Sequence, residues 1–153
     1  MSSIVREIWV VDDESIITRP LQRLISSMLR REQLTEQYEI ITHNYPERAL
    51  ALLPAQSRDI ALVVADIMMP QLNGLDFLVR MKQFQPMAPR IILTGYADKE
   101  NAIRALNELE LFAYVEKPWN NDLFRQLVLS GLEKISPKSP GSHVSPLCAG
   151  GSH

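Results

Sequence analysis

The sequence predicts an α/β fold: five βα units forming a parallel sheet covered by helices on both faces. Three observations predict it. Short β-branched or apolar runs alternate with stretches whose apolar residues recur every three or four positions, and such βα alternation calls for a parallel sheet with right-handed crossovers. The run Ile60-Ala-Leu-Val-Val-Ala is uninterrupted, as a strand buried on both faces must be. The runs stop abruptly, at Asp12-Asp13-Glu14, at Asp66, at Gly95 and at Lys117-Pro118, where strand-to-helix loops belong.

The elements follow in order. Ile4 to Val11 is β-branched and apolar and meets an acidic turn, which predicts a first strand. Ile17, Leu21, Leu24, Ile25 and Met28 then lie on one face of a helix. That helix starts either near Thr18, with Pro20 in its first turn, or earlier, with a bend at Pro20. Arg30 to Gln37 extends it or forms a long loop. Tyr38 to His43 is a second strand. Asn44 and Glu47, three apart, predict a capped start to a second helix that Pro54 ends. The third strand ends on Asp66, and Pro70 and Gly74 keep the following loop irregular. Leu75, Leu78, Met81 and Phe84 mark a third helix, ended by Pro86 and Pro89. Arg90 to Thr94 is a fourth strand. Asp98 is the expected cap of a fourth helix carrying Ala102, Ile103, Leu106 and Leu109. Phe112 to Glu116 is a fifth strand. Asn120 is the expected cap of a last helix, with Trp119 stapled on Phe124 and with Leu127, Val128, Leu132 and Ile135 on its inner face.

At 153 residues the chain favours one domain with a real core. Sixteen basic against eighteen acidic residues leave a net charge of −2, which gives nucleic-acid binding no electrostatic support. The lone cysteine, Cys148, excludes an internal disulfide framework and fits a reducing cytoplasm. The N-terminus does not read as a signal peptide, and no apolar run approaches the roughly 18 residues of a membrane span. The domain is expected over 4–135. Ser136 to His153, rich in Pro, Ser and Gly, is expected to be disordered, and its final Gly-Gly-Ser-His reads as a clipped tag remnant.

Parallel strands end on one edge of a sheet, so Asp12, Asp13, Asp66, Thr94 and Lys117 are expected to gather there. Three converging carboxylates repel one another unless a cation is shared. An all-oxygen site suits Mg²⁺, and a lysine and a hydroxyl beside it suit a phosphoryl group. Taken singly, each residue has a plain structural use as a cap, a turn hydroxyl or a solvated strand end. Their joint placement favours phosphoryl transfer with one aspartate as nucleophile.

Val10-Val-Asp-Asp-Glu14, Asp66-Ile-Met-Met-Pro70 with Gly74, Thr94-Gly and Lys117-Pro118 together resemble the receiver domain of two-component response regulators, over roughly Ile4 to Lys134. The resemblance implies a flavodoxin-like, doubly wound fold with strand order 2-1-3-4-5. It implies that Asp66 accepts a phosphoryl group from a histidine kinase or phosphotransfer protein. Asp13 would bind Mg²⁺ directly with Asp66 and the Met68 backbone carbonyl, and Asp12 would assist, directly or through water. Thr94 would hold a phosphoryl oxygen and Lys117 would pair with the group. Gly95 would leave room for backbone N–H groups, and Pro118 would follow a cis bond. Thr94 and Tyr114 would form the switch, read out on the fourth helix, fifth strand and fifth helix around Ile103, Tyr114 and Trp119. That face would serve an output domain or partner, or a homodimer.

Two departures from the family pattern stand out. No glycine ends the fourth helix in Glu108-Leu-Glu-Leu-Phe112, and the span from Asp13 to Asp66 is long. The wording Leu93-Thr-Gly-Tyr-Ala-Asp98 and Lys117-Pro-Trp119 is similar to receivers attached to cyclic-dinucleotide phosphodiesterase domains and to some sensor kinases. Three other functions compete. An aspartate-nucleophile phosphohydrolase needs a second acid close after Asp66, where Met68 stands, so at most slow self-dephosphorylation is expected. A phosphate-independent interaction domain does not require all five chemical positions. A flavodoxin-like cofactor carrier needs a phosphate-cradling glycine-rich loop, and none follows the first strand.

Overall fold

In the computed structural model, which describes residues 4–133, the apolar runs become β1 (Arg6–Val11), β2 (Tyr38–His43), β3 (Ile60–Asp66), β4 (Arg90–Thr94) and β5 (Ala113–Glu116). The amphipathic stretches become α1 (Ser15–Arg31), α2 (Pro46–Leu52), α3 (Gly74–Phe84), α4 (Lys99–Glu108) and α5 (Asn121–Glu133). Every strand pairing is parallel, in the order β2-β1-β3-β4-β5. The fold is the flavodoxin-like one expected.

Alternation along each strand divides the core. Ile8, Val10, Leu62 and Val64 pack against Leu21 and Ile25 of α1 and Phe124 and Val128 of α5. Trp9, Val11, Val63 and Ala65 pack on the other face against Phe77, Leu78 and Met81 of α3 and Ala102 and Ala105 of α4. All seven β3 residues are buried, as its unbroken apolar run requires.

Where the structure departs from the sequence reading, the reasons are local. Helix α1 takes the earlier start, with Pro20 inside it. It ends at Arg31 because Gln33 turns left-handed (φ 61°) and the Leu34 N–H reaches back to the Leu29 carbonyl at 2.8 Å. Asn44 does not cap α2, whose N-cap is Tyr45 with no side-chain bond. Asp98 likewise makes no capping bond to α4. Asn73 caps α3, accepting from the Leu75 N–H at 2.7 Å. Phe84 is 45% exposed, and Phe77 takes the inner position instead. Asn120 does cap α5, accepting from the Leu123 N–H at 3.0 Å, with the Trp119 and Phe124 rings 6.3 Å apart. Ile135 and the 136–153 tail lie outside the described residues.

The missing glycine after α4 has a specific substitute. Glu110 itself adopts φ 56°, a conformation that costs a residue with a Cβ. Arg90, only 5% exposed at the start of β4, braces the turn. Its guanidinium donates to the Leu109 carbonyl, to the Glu110 carbonyl at 3.4 Å and to the Leu78 carbonyl of α3 at 3.3 Å. Burial pulls the Arg90 pKa down, and the Glu110 charge opposes that. The Leu109 and Glu110 carbonyls lie just past α4, where intrahelical donors run out. Taking them as acceptors makes burial of the cation tolerable.

Candidate functional site: an acidic cluster at the sheet edge

The carboxyl ends of β1, β3, β4 and β5 deliver the expected residues to one edge. Asp66 ends β3 and is 4% exposed. Its Oδ2 accepts from the Lys117 Nζ at 2.8 Å, and its Oδ1 accepts from the Met68 N–H at 3.3 Å. Asp12, Asp13 and Asp66 each place an oxygen within 4.8 Å of the others. Asp12 is fully buried and Asp13 partly so. The Asp12 Oδ1 accepts from the Glu14 N–H at 3.0 Å, whereas its buried Oδ2 has no partner. A partnerless buried carboxylate oxygen facing two further carboxylates is a donor set for a hard cation. The site chemistry therefore fits Mg²⁺.

Electrostatics point the same way. The Asp12 pKa is pushed from 3.8 up to about 8. Burial is the main cause, the Glu14 N–H opposes it, and the Asp66 charge adds to it. Below pH 3.8 the carboxyl is protonated in both the folded and unfolded chain, so it contributes no pH dependence there. Between that and about pH 8 the unfolded chain releases a proton that the folded chain keeps. Metal-free stability is therefore expected to fall as pH rises through this window, by at most roughly 6 kcal/mol. Urea unfolding in chelator between about pH 5 and about pH 8.5 measures it, and a flat profile would mean that Asp12 ionises freely in the fold.

Thr94 is fully buried at the end of β4 and its hydroxyl donates to the Gly95 carbonyl at 3.1 Å. The Lys117–Pro118 bond is cis. Met68 turns its side chain outward, 61% exposed. Of the three residues expected on the readout face, Ile103 is exposed, Trp119 is half-buried and Tyr114 is buried. The two glycines differ in the space around them. A Cβ on Gly95 would meet nothing within 4 Å, so close approach there is not a feature of this conformation. A Cβ on Gly74 would lie 2.0 Å from the Asp66 carbonyl oxygen.

A family model described as the response regulator receiver domain matches residues 8–129. The chain belongs to this family. This receiver domain is 32% identical over 126 residues to the hydrogenase transcriptional regulatory protein HoxA of Cupriavidus necator, covering 82% of this chain and 24% of that protein. It is 28% identical to the transcriptional regulatory protein FixJ of Bradyrhizobium diazoefficiens, covering 90% and 62% respectively. The chain thus spans about a quarter of the length of the HoxA and NtrC relatives it matches. A response regulator receiver domain protein from Clostridium thermocellum superposes with a TM-score of 0.72 at 28% identity, covering 85% of this chain and 96% of that one. The receiver domain of an HD domain-containing protein from Pseudomonas fluorescens Pf-5 does so with 0.68 at 31%, covering 84% and 95%. This chain is accordingly a receiver domain of two-component signalling. Among its described residues no helix is long and apolar enough to cross a membrane.

Proposed function

We propose that this receiver domain takes a phosphoryl group onto Asp66 from a phosphohistidine and passes the change to a partner through its α4-β5-α5 face. One observation carries the reading: Asp66 is buried at a strand end, ion-paired with Lys117 at 2.8 Å and within 4.8 Å of the Asp12 and Asp13 oxygens. An Asp66 oxygen forms the new O–P bond as the donor's P–N bond breaks, and the leaving imidazole takes up a proton. The Lys117 ammonium, already at the acceptor, pairs with the incoming phosphoryl oxygens. Asp12, Asp13, Asp66 and the Met68 carbonyl would hold Mg²⁺, which when bound offsets the charge of the carboxylates and the transferring group.

Phosphorylation adds a charge of roughly −1.5 to −2 and strong acceptor oxygens. The Thr94 hydroxyl exchanges the Gly95 carbonyl for one of those oxygens, and Tyr114 on β5 occupies the space that movement leaves. The partners are a sensor histidine kinase or phosphotransfer protein and an output domain or downstream protein, with a second copy able to pair on the same face. The setting is cytoplasmic, and the module is assigned to 4–135. Nucleic acid is not a ligand of this domain. Turnover is not part of the function, because the side chain two residues past Asp66 is the outward Met68 rather than a general acid.

The test is phosphoryl incorporation from acetyl phosphate, read by intact-protein mass. Near-stoichiometric labelling that requires Mg²⁺ and is lost in chelator is expected. A well-folded sample that stays unlabelled with Mg²⁺ present would favour a phosphate-independent interaction domain.

A further inference from the structure

Asn44 directly follows β2, and the sequence offers it as a helix cap. The structure gives it other work. Its Nδ2 donates to the Asp12 backbone carbonyl at 2.8 Å and to the Thr18 hydroxyl at 3.3 Å. The neighbouring His43 carbonyl accepts from the Asp12 N–H at 3.0 Å. Both peptide groups flanking the Asp12 side chain are thus tied to the end of β2. Thr18 is 2% exposed in the first turn of α1, so the same amide also pins the far side of the loop that carries Asp12 and Asp13. Two acceptors from two elements converge on one nitrogen, and a side-chain amide has the two hydrogens to satisfy both.

We propose that Asn44 is a positioning residue for the acid pair: by bridging the β1–α1 loop and the start of α1 it holds the Asp12 and Asp13 carboxylates toward Asp66, and so sets the affinity of the cluster for a divalent cation. The inference rests on the Mg²⁺ reading of the acidic cluster. Groups that orient ligands without touching the metal characteristically change affinity by about 10- to 100-fold.

Position and charge are separable here. Asn44→Ala removes both donors. Asn44→Asp also removes them, sets a carboxylate against two acceptors, and brings a fourth negative charge near the cluster. Mg²⁺ titration by calorimetry reads each variant, with the unfolding midpoint in chelator and in excess Mg²⁺ as a second readout. Positioning predicts Mg²⁺ binding about tenfold weaker in both variants, together with a smaller Mg²⁺-induced rise in the midpoint. Affinity unchanged in Asn44→Ala, or raised in Asn44→Asp as charge alone would have it, overturns the inference. Thr18→Val, which cuts only the α1 arm of the bridge, is expected to weaken binding in the same direction and serves if either Asn44 variant does not fold. Wild-type protein with no Mg²⁺ affinity would overturn the metal reading and this inference with it. Wild-type binding with unchanged variants would overturn the positioning role alone.

Discussion

Asp66→Asn is expected to abolish phosphoryl incorporation while changing metal-free stability by no more than about 1 kcal/mol. The first half follows from chemistry: a carboxamide oxygen is a poor nucleophile toward phosphorus, and Asp66 is the carboxylate that holds the Lys117 Nζ at 2.8 Å. The second half weighs two opposed effects. Removing one member of a buried ion pair usually costs about 3–5 kcal/mol, because the other charge is stranded. Lys117 is not stranded. Its side chain is 27% exposed, and its charge still faces the Asp12 carboxyl, on which it already acts. The substitution also removes a charge that raises the Asp12 pKa, and the new carboxamide oxygen can still accept the Met68 N–H. Mass spectrometry after acetyl phosphate treatment and urea unfolding in chelator read the two halves. Labelling retained at wild-type stoichiometry would move the acceptor elsewhere. Collapse of the fold would make Asp66 a structural residue first.

Gly74→Ala is expected to destabilise the domain by about 3 kcal/mol or more and to slow labelling at least about tenfold. Gly74 opens α3 with its N–H on the Ile67 carbonyl at 3.0 Å, which draws the helix start onto the end of β3. A methyl there would stand 2.0 Å from the Asp66 carbonyl oxygen, 2.8 Å from its carbonyl carbon and 2.8 Å from the Ile67 Cα. All three are backbone atoms, so no side-chain rotation relieves the overlap. Either α3 moves away or the Asp66–Ile67 segment shifts, and the segment bears the proposed acceptor, Asp66. Gly95→Ala, with open space at its Cβ, is the matched control and is expected to stay near wild-type stability. Thermal unfolding and labelling rate for the pair decide the point. Equal stability of the two variants, with labelling of Gly74→Ala at the wild-type rate, would show that the contact at Gly74 yields at no cost.

Much of the fold and of the site is legible in the residue pattern. Strand runs and helical periodicity locate five strands and five helices, and the acids at the ends of the β1 and β3 runs mark the edge where the acidic cluster forms. The cap on α5 is readable because Asn120 and the Leu123 N–H it serves are close neighbours along the chain. The exchange of Phe84 for Phe77 shows the limit of the same logic. Seven residues apart, they lie on nearly the same side of α3, but Phe84 is its last residue and is 45% exposed while Phe77 is buried, so how far the core extends along the helix decides which is covered.

Periodicity and strand polarity suffice to set the order and type of the elements, their burial pattern, and which chemical groups reach the carboxyl edge. Packing in three dimensions makes Asp12 rather than Asp13 the fully buried acid, and it directs Asn44 to the β1–α1 loop instead of to the start of α2. Packing also turns Glu110 left-handed under the Arg90 guanidinium and requires Gly74 for space beside the Asp66 carbonyl. Each of these depends on atoms brought together from different elements of the fold. Local pattern carries no information on such meetings, since the seating of helices onto the sheet creates them.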